Sequence, residues 1–340
     1  MEVTYFRIML YTQLLTVFLW SCDQFFMGIH RPVVTMYAAL VGQTVNICAN
    51  YLLIFGKFGF PEMGIAGAGW GTFIGISVGA LIRMAVFLSP RTSLEFKTRK
   101  ALTIDFGKMV DLIKVGFPAG LAFTINVAFL GVILFTLVGA FGTEPLAATS
   151  AVFACINVSV MPVIGVGTAL TAAIGKSIGR GKPQLAVKQA GVALKIGIAY
   201  MLLMGICFFL FRHGIMKYWA NGEVKVIEVG MNLLICAAIF QVFDAAVIIY
   251  NGALRGAGDT LWLAGISAFG SIIVLGLGGL AIVRCFPQLG AIGPWIALTA
   301  DIIVVGLANR WRFNTKRWMR IDLFNRRPVG LPAEIEAVVE

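Results

Sequence analysis

The chain has 340 residues, 59% of them hydrophobic and only 13% charged, with a mean hydropathy of +0.90. A soluble domain covers itself with roughly 25% charged residues, so a water-facing globule is excluded. The net charge of +11 comes from basic residues lying between apolar runs, which points to membrane orientation and anionic lipid contact rather than nucleic-acid binding.

Apolar windows long enough to cross a bilayer recur over 5–28, 33–55, 64–88, 109–141, 150–175, 189–211, 229–254, 261–283 and 289–309. The expected fold is an all-α polytopic membrane protein with about nine transmembrane helices. The fourth window is long enough to tilt or to break near Pro118. Nine spans put the two ends on opposite sides. Of the 27 Lys and Arg, 19 fall in one set of loops plus the tail and 5 in the other set. Arg7, Arg83 and Lys195 lie near expected helix ends, where long side chains snorkel to the headgroups. This bias predicts a multi-pass protein of the inner (plasma) membrane, with a cytoplasmic C-terminus and an N-terminus outside. Residues 1–30 carry no signal-cleavage pattern.

The six cysteines lie in or beside apolar runs, with no CxxC and no Cys/His cluster, and both histidines (His30 and His213) fall in loops. No metal centre, cofactor or enzymatic activity is expected.

The first three spans resemble the last three. An offset of 228 brings Gln13 onto Gln241, Phe26 onto Leu254 and Gly28 onto Gly256. Offsets of 226 and 225 bring Phe60-Pro61 onto Phe286-Pro287 and Trp70 onto Trp295. The copies share one orientation, as in transporters built from parallel repeats. The middle spans, from 109 to 228, have no copy. The expectation is a six-plus-six architecture whose first three spans, about 120 residues, would precede Met1. Residues 1–90 then form the rest of an N-terminal lobe and 91–108 a cytoplasmic linker. A six-helix lobe occupies 109–310, and 311–340 form a basic tail suited to the anionic leaflet.

Ionisable residues deep in a span are functional candidates by default. Asp244 is the foremost, with Gln241 and Asn251 on the same helix face at i−3 and i+7. The repeat places Gln13, Thr16 and Asp23 at equivalent positions, and Gln43, Asn46 and Asn50 stripe the second helix. With Asn157 and Phe240, these residues suggest a hydrated substrate cavity between the two halves. A carboxylate in such a cavity can hold a proton when dry and release it when wetted, which couples cation movement to substrate movement. The plain alternative is a carboxylate capped by neighbouring hydroxyls or amides. Asp301 is a second mid-span carboxylate, without polar residues at helical spacing, and Asp23 lies near a helix end. Gly67, Gly71, Gly75 and Gly79 form a small-residue stripe suited to close helix packing. Pro118 and Pro162 interrupt helical hydrogen bonding and mark either hinges or simple kinks.

These residues resemble a known family. YFRIMLYTQLLTVF with FFMGIHRP, then NYLLIFG, IKVGFPAGLAFTINVAF and GALRGAGDT, are similar to spans four to seven and ten of the multidrug and toxic compound extrusion (MATE) transporters. The resemblance runs from Tyr5 to about Arg310. It implies a pseudo-symmetric two-lobe exporter of drugs, toxic organic cations or metabolites, driven by Na+ or H+ entry, working as a monomer among membrane lipids. It also implies that Asp244 is the coupling carboxylate of the tenth span. Phe240 stands where some members carry a tyrosine, and Asn126 (or Val127) where they carry a glutamate. A flippase for lipid-linked sugars shares this fold, but it would need cations in its cavity, and none lies at mid-span. An inactive truncated fragment is a further alternative.

Overall fold

The computed structural model describes residues 2–59, 61–100, 106–128, 131, 134–220 and 222–321. They are helical almost throughout and divide into two compact units, residues 1–106 and 107–340. The division falls inside the linker expected at 91–108. Eight helical stretches among the described residues are long and apolar enough to cross a membrane. The fourth expected span corresponds to α5 (Phe106–Ala128) and α6 (Phe135–Gly139), with most residues between them outside the described set.

Unit 1 contains α1 (Glu2–Gly28), α2 (Pro32–Phe55), α3 (Gly64–Phe87) and the short α4 (Pro90–Phe96). Pro32 opens α2, where its missing N–H has no helical partner to lose, and Gly56 closes it at φ 60. The glycine stripe of α3 is a packing surface. A methyl group on Gly67 would fall 2.5 Å from the Leu53 carbonyl, and one on Gly75 2.5 Å from Asn46 Cβ. One on Gly71 would overlap the Asn50 amide. In hydrocarbon, where burial of apolar surface gives little drive, such backbone approach is what joins helices.

Arg83 does not snorkel. It is 2% exposed and its Nε donates to Asp23 Oδ1 on α1 at 2.5 Å. Its Nη2 donates to the Thr35 carbonyl on α2 at 3.2 Å and its Nη1 to Gly79 on α3 at 3.0 Å. One guanidinium therefore ties all three helices together.

Unit 2 is built on α9 (Val224–Gly256), which packs against α7 (Thr143–Gly179), α8 (Pro183–Trp219) and α12 (Ile292–Asn314). Between α9 and α12 the chain forms α10 (Thr260–Phe269), a π-helical segment (Gly270–Gly278) and α11 (Gly279–Cys285). Glycines again set the spacing. Gly252 and Gly256 lie on the α7 backbone, where an added methyl would meet Gly167 and Thr171 carbonyls at 2.5 Å. Thr171 crosses the same seam, its Oγ1 donating to the Gly252 carbonyl at 2.9 Å. The 37-residue helices α7 and α8 run about 55 Å each, well beyond a hydrocarbon core of about 30 Å. The apolar windows at 150–175 and 189–211 mark only part of them.

The repeat holds at atomic detail. His30 (φ 58) and Gly258 (φ 83), 228 positions apart, make the same left-handed turn. The next amides, Arg31 and Asp259, donate back to Phe26 and Leu254 at 2.8 and 2.9 Å. The Phe87 carbonyl accepts from Thr98 Oγ1 at 2.7 Å, and that of Phe313, 226 positions on, accepts from Trp318 Nε1 at 2.9 Å. Where unit 1 pairs Asp23 with Arg83, unit 2 pairs Asn251 with Asn309 at 2.8 Å. The contact persists while its chemistry changes from ionic to amide.

Two outcomes follow in thermal unfolding of the purified chain in detergent. Gly252→Ala should destabilise by about 1–3 kcal/mol through overpacking, whereas Gly191→Ala, with nothing within 4 Å of its Cβ, should not. Breaking the ionic tie with Asp23→Asn should cost about 3 kcal/mol or more, because the surviving Arg83 charge is left buried, and Arg83→Ala, which leaves the part-exposed Asp23, should cost less. The double substitution Asp23→Asn/Arg83→Asn installs the amide pair of unit 2 and should be less damaging than either single change. A double variant worse than both would mean that the two copies do not share this contact.

Candidate cation and substrate site

The polar stripe of α9 is partnered above and below Asp244. Gln241 is fully buried, and its Nε2 donates to Ser159 Oγ on α7 at 2.9 Å. Ser159 in turn donates to the Ile156 carbonyl at 2.9 Å. Gln241 Oε1 is buried with no hydrogen-bond partner among the described residues. Pro162 sits one turn after Ser159 inside a continuous α7, and it removes the amide that would otherwise bond the Val158 carbonyl. This part of α7 therefore combines a backbone defect with a side-chain tie to α9.

Beside Gln241, Phe240 stacks on Trp295 of α12 with ring centroids 6.4 Å apart. Trp295 also meets the Phe153 ring at 5.4 Å and donates to Thr149 Oγ1 at 3.3 Å. Two turns after Asp244, Asn251 Oδ1 accepts from Asn309, whose own Oδ1 accepts from Trp262 Nε1 at 3.1 Å. Gly306 brings the α12 backbone against Phe243 and Val247.

Asp244 lies between these partnered groups, half-buried, about 4.5 Å along the axis from Gln241 and about 10 Å from Asn251. No hydrogen bond or ion pair engages its carboxylate among the described residues. Between Lys225 and Arg255, α9 carries no cationic side chain. The arrangement therefore offers a carboxylate and an unused amide oxygen one turn away, whereas Phe240 (2% exposed) and Trp295 (0%) are packed into the core of the unit, so Phe240 does not line a cavity as expected.

The other predicted residues are distributed as follows. Asn157 is exposed on α7. In unit 1, Gln13 and Gln43 are exposed, and Thr16 Oγ1 is taken up by the Thr12 carbonyl at 2.9 Å. Asn46 and Asn50 are bonded to each other at 3.1 Å and face the glycines of α3. A groove of about 330 Å³ in this unit is lined by Ile8, Tyr11, Leu14, Leu15, Trp70 and Phe73, and it includes none of the predicted polar residues. Asp301 lies on α12 against Gly270. Asn126 and Pro118 belong to α5, whose backbone is helical there, but their side chains lie outside the described residues. Ser159, Asn309 and Arg83 were not singled out as partners in the sequence, although the 226-residue offset aligns the last two.

The MatE family model matches residues 118–279, from within α5 to the start of α11. A probable multidrug resistance protein NorM of Listeria innocua is 33% identical over 276 residues, covering 80% of this chain and 59% of that protein. The corresponding protein of Brucella suis is 28% identical over 298 residues, covering 85% of this chain and 62% of its own length. The chain thus spans about three fifths of these relatives. A solved outward-facing multidrug resistance MATE family transporter of the MOP superfamily superposes with a TM-score of 0.81 at 19% identity, covering 94% of this chain and 70% of its own. With the fold, the internal repeat and the sequence matches in agreement, the chain belongs to the multidrug and toxic compound extrusion family of membrane transporters.

Proposed function

We propose that the chain acts in the cytoplasmic membrane as a cation-coupled antiporter, exporting drugs, toxic organic cations or metabolites in exchange for Na+ or H+. The names of the NorM relatives support the multidrug part of this reading. The observation that carries the coupling is the carboxylate of Asp244, without a partner among the described residues, on a helix where Gln241 Nε2 and Asn251 Oδ1 are bonded. A bare carboxylate in low dielectric is strongly disfavoured, and either a small cation or a cationic substrate relieves it. The two compete for one charge, so cation entry displaces substrate, which is the minimum requirement for exchange. Gln241 Oε1, one turn away and without a partner among the described residues, is the proposed second oxygen ligand. Asn126 is the proposed third member of the coupling set. The absence of cations along mid-α9 favours this reading over a flippase that grips pyrophosphate. In this reading the chain works as a monomer in contact with lipid, with its C-terminus cytoplasmic.

The test is substrate export from vesicles under an imposed Na+ or H+ gradient. Asp244→Asn preserves shape and removes no partner found among the described residues, so the variant should fold and insert. Its export should fall to the rate measured without a gradient. If Asp244→Asn followed the gradient as steeply as the parent, Asp244 would not be the coupling group.

A further inference from the structure

The span from Thr260 to Cys285 is not a plain helix. At Gly270 its register widens into a π-helical segment that lasts to Gly278, in a stretch with no proline. Such insertions are rare, locally unfavourable and concentrated at functional positions. Facing the start of this segment is Asp301 of α12, which is 6% exposed. Its Oδ1 is buried and has no hydrogen-bond partner among the described residues. Gly270 makes room for it, since a methyl there would overlap that oxygen and lie 2.7 Å from Val305 Cγ2. The carboxylate therefore rests on the backbone where α-helical bonding gives way to π-helical bonding. Ser271, the next residue, is 2% exposed.

We infer that Asp301, together with the π-helical turn at Gly270, forms a second site for a monovalent cation (H+ or Na+) in unit 2, additional to Asp244. A cation there neutralises the carboxylate and gives its buried Oδ1 a partner. The surrounding charge does not do so. From Thr260 to Gly278, α10 and the π segment contain no titratable side chain. Arg284 and Cys285 end α11 at exposed positions, and Pro287–Leu289 carries no charge. Arg310 and Arg312 occupy the last turns of α12, Arg312 pairing with Asp259 at 2.7 Å, and Arg317 and Arg320 follow beyond it. The α9 surface on α12 includes Phe240, Phe243, Val247, Asn251 and the titratable Tyr250, whose ring packs on Phe313 at 5.5 Å, twelve residues along α12 from Asp301; Asp244 is the carboxylate of α9 itself. The inference stands on its own geometry and does not require Asp244 to couple transport.

Infrared difference spectra of the full chain in lipid nanodiscs test it, recorded across a pH step with and without NaCl and reading the protonated-carboxyl band. Asp301→Asn should remove one component of the band, and Asp244→Asn should remove a different one. Loss of the Asp301 component on adding NaCl at fixed pH assigns the site to Na+, and its persistence assigns it to H+. Gly270→Ala keeps the carboxylate but displaces its oxygen, so it should shift the same component, and it decides the matter should Asp301→Asn fail to fold. A spectrum unchanged by Asp301→Asn, or an Asp301 component unmoved by Gly270→Ala, would overturn the assignment.

Discussion

Inside a bilayer core no water satisfies a polar group, so every donor, acceptor and charge must find its partner within the protein. The architecture follows from this constraint. The backbone meets it by forming helices almost throughout the described residues. Side chains meet it in pairs that also bind helices together: Asp23 with Arg83, Asn251 with Asn309 and Trp262, Gln241 with Ser159. Beside these pairs, Asp244 and Asp301 stand apart, carboxylates on neighbouring helices of unit 2 whose charge the described protein leaves without a counterion.

The repeat separates what the fold needs from what each copy has specialised. Equivalent turns at His30 and Gly258 keep the same backbone bonds although only one residue is glycine. The contact between the first and third helices of each copy survives as an ion pair in unit 1 and as an amide pair in unit 2. An ion pair is the more demanding solution, because each charge depends on the other. Conversely, Gln241 of α9 is fully buried against Ser159 of α7 while its equivalent Gln13 is exposed in unit 1, so among the described residues that position is partnered only in the second copy.

Much of this was legible in the residues. Span positions followed from apolar length, the repeat from weak matches at one offset, and the α9 stripe from helical spacing. Helix ends were not legible, because α7 and α8 continue as helices past their apolar windows into more polar segments, through Glu144 and Lys176 in α7 and through Lys188, Arg212 and Lys217 in α8. Pairings across 60 residues, such as Asp23 with Arg83, were also hidden, since an isolated arginine near a helix end looks free to reach the headgroups. The Asn46 and Asn50 stripe has the pattern of a cavity lining yet faces the α3 glycines, because helical spacing defines a face but not what covers it. The π-helical turn leaves no signal in an apolar run; only its glycine, placed under a buried carboxylate, marks it once the fold is known.

The central claim is that partnered polar groups in the spans hold the structure, and that the carboxylate of Asp244, without a partner among the described residues, does not. Thermal unfolding of Asp244→Asn beside Asp23→Asn, in the same detergent and at the same pH, tests it most directly. The account predicts an unchanged or higher midpoint for Asp244→Asn and a clearly lower one for Asp23→Asn. A fall for Asp244→Asn as large as that for Asp23→Asn would contradict it, because Asp244 would then be a structural tie like the others.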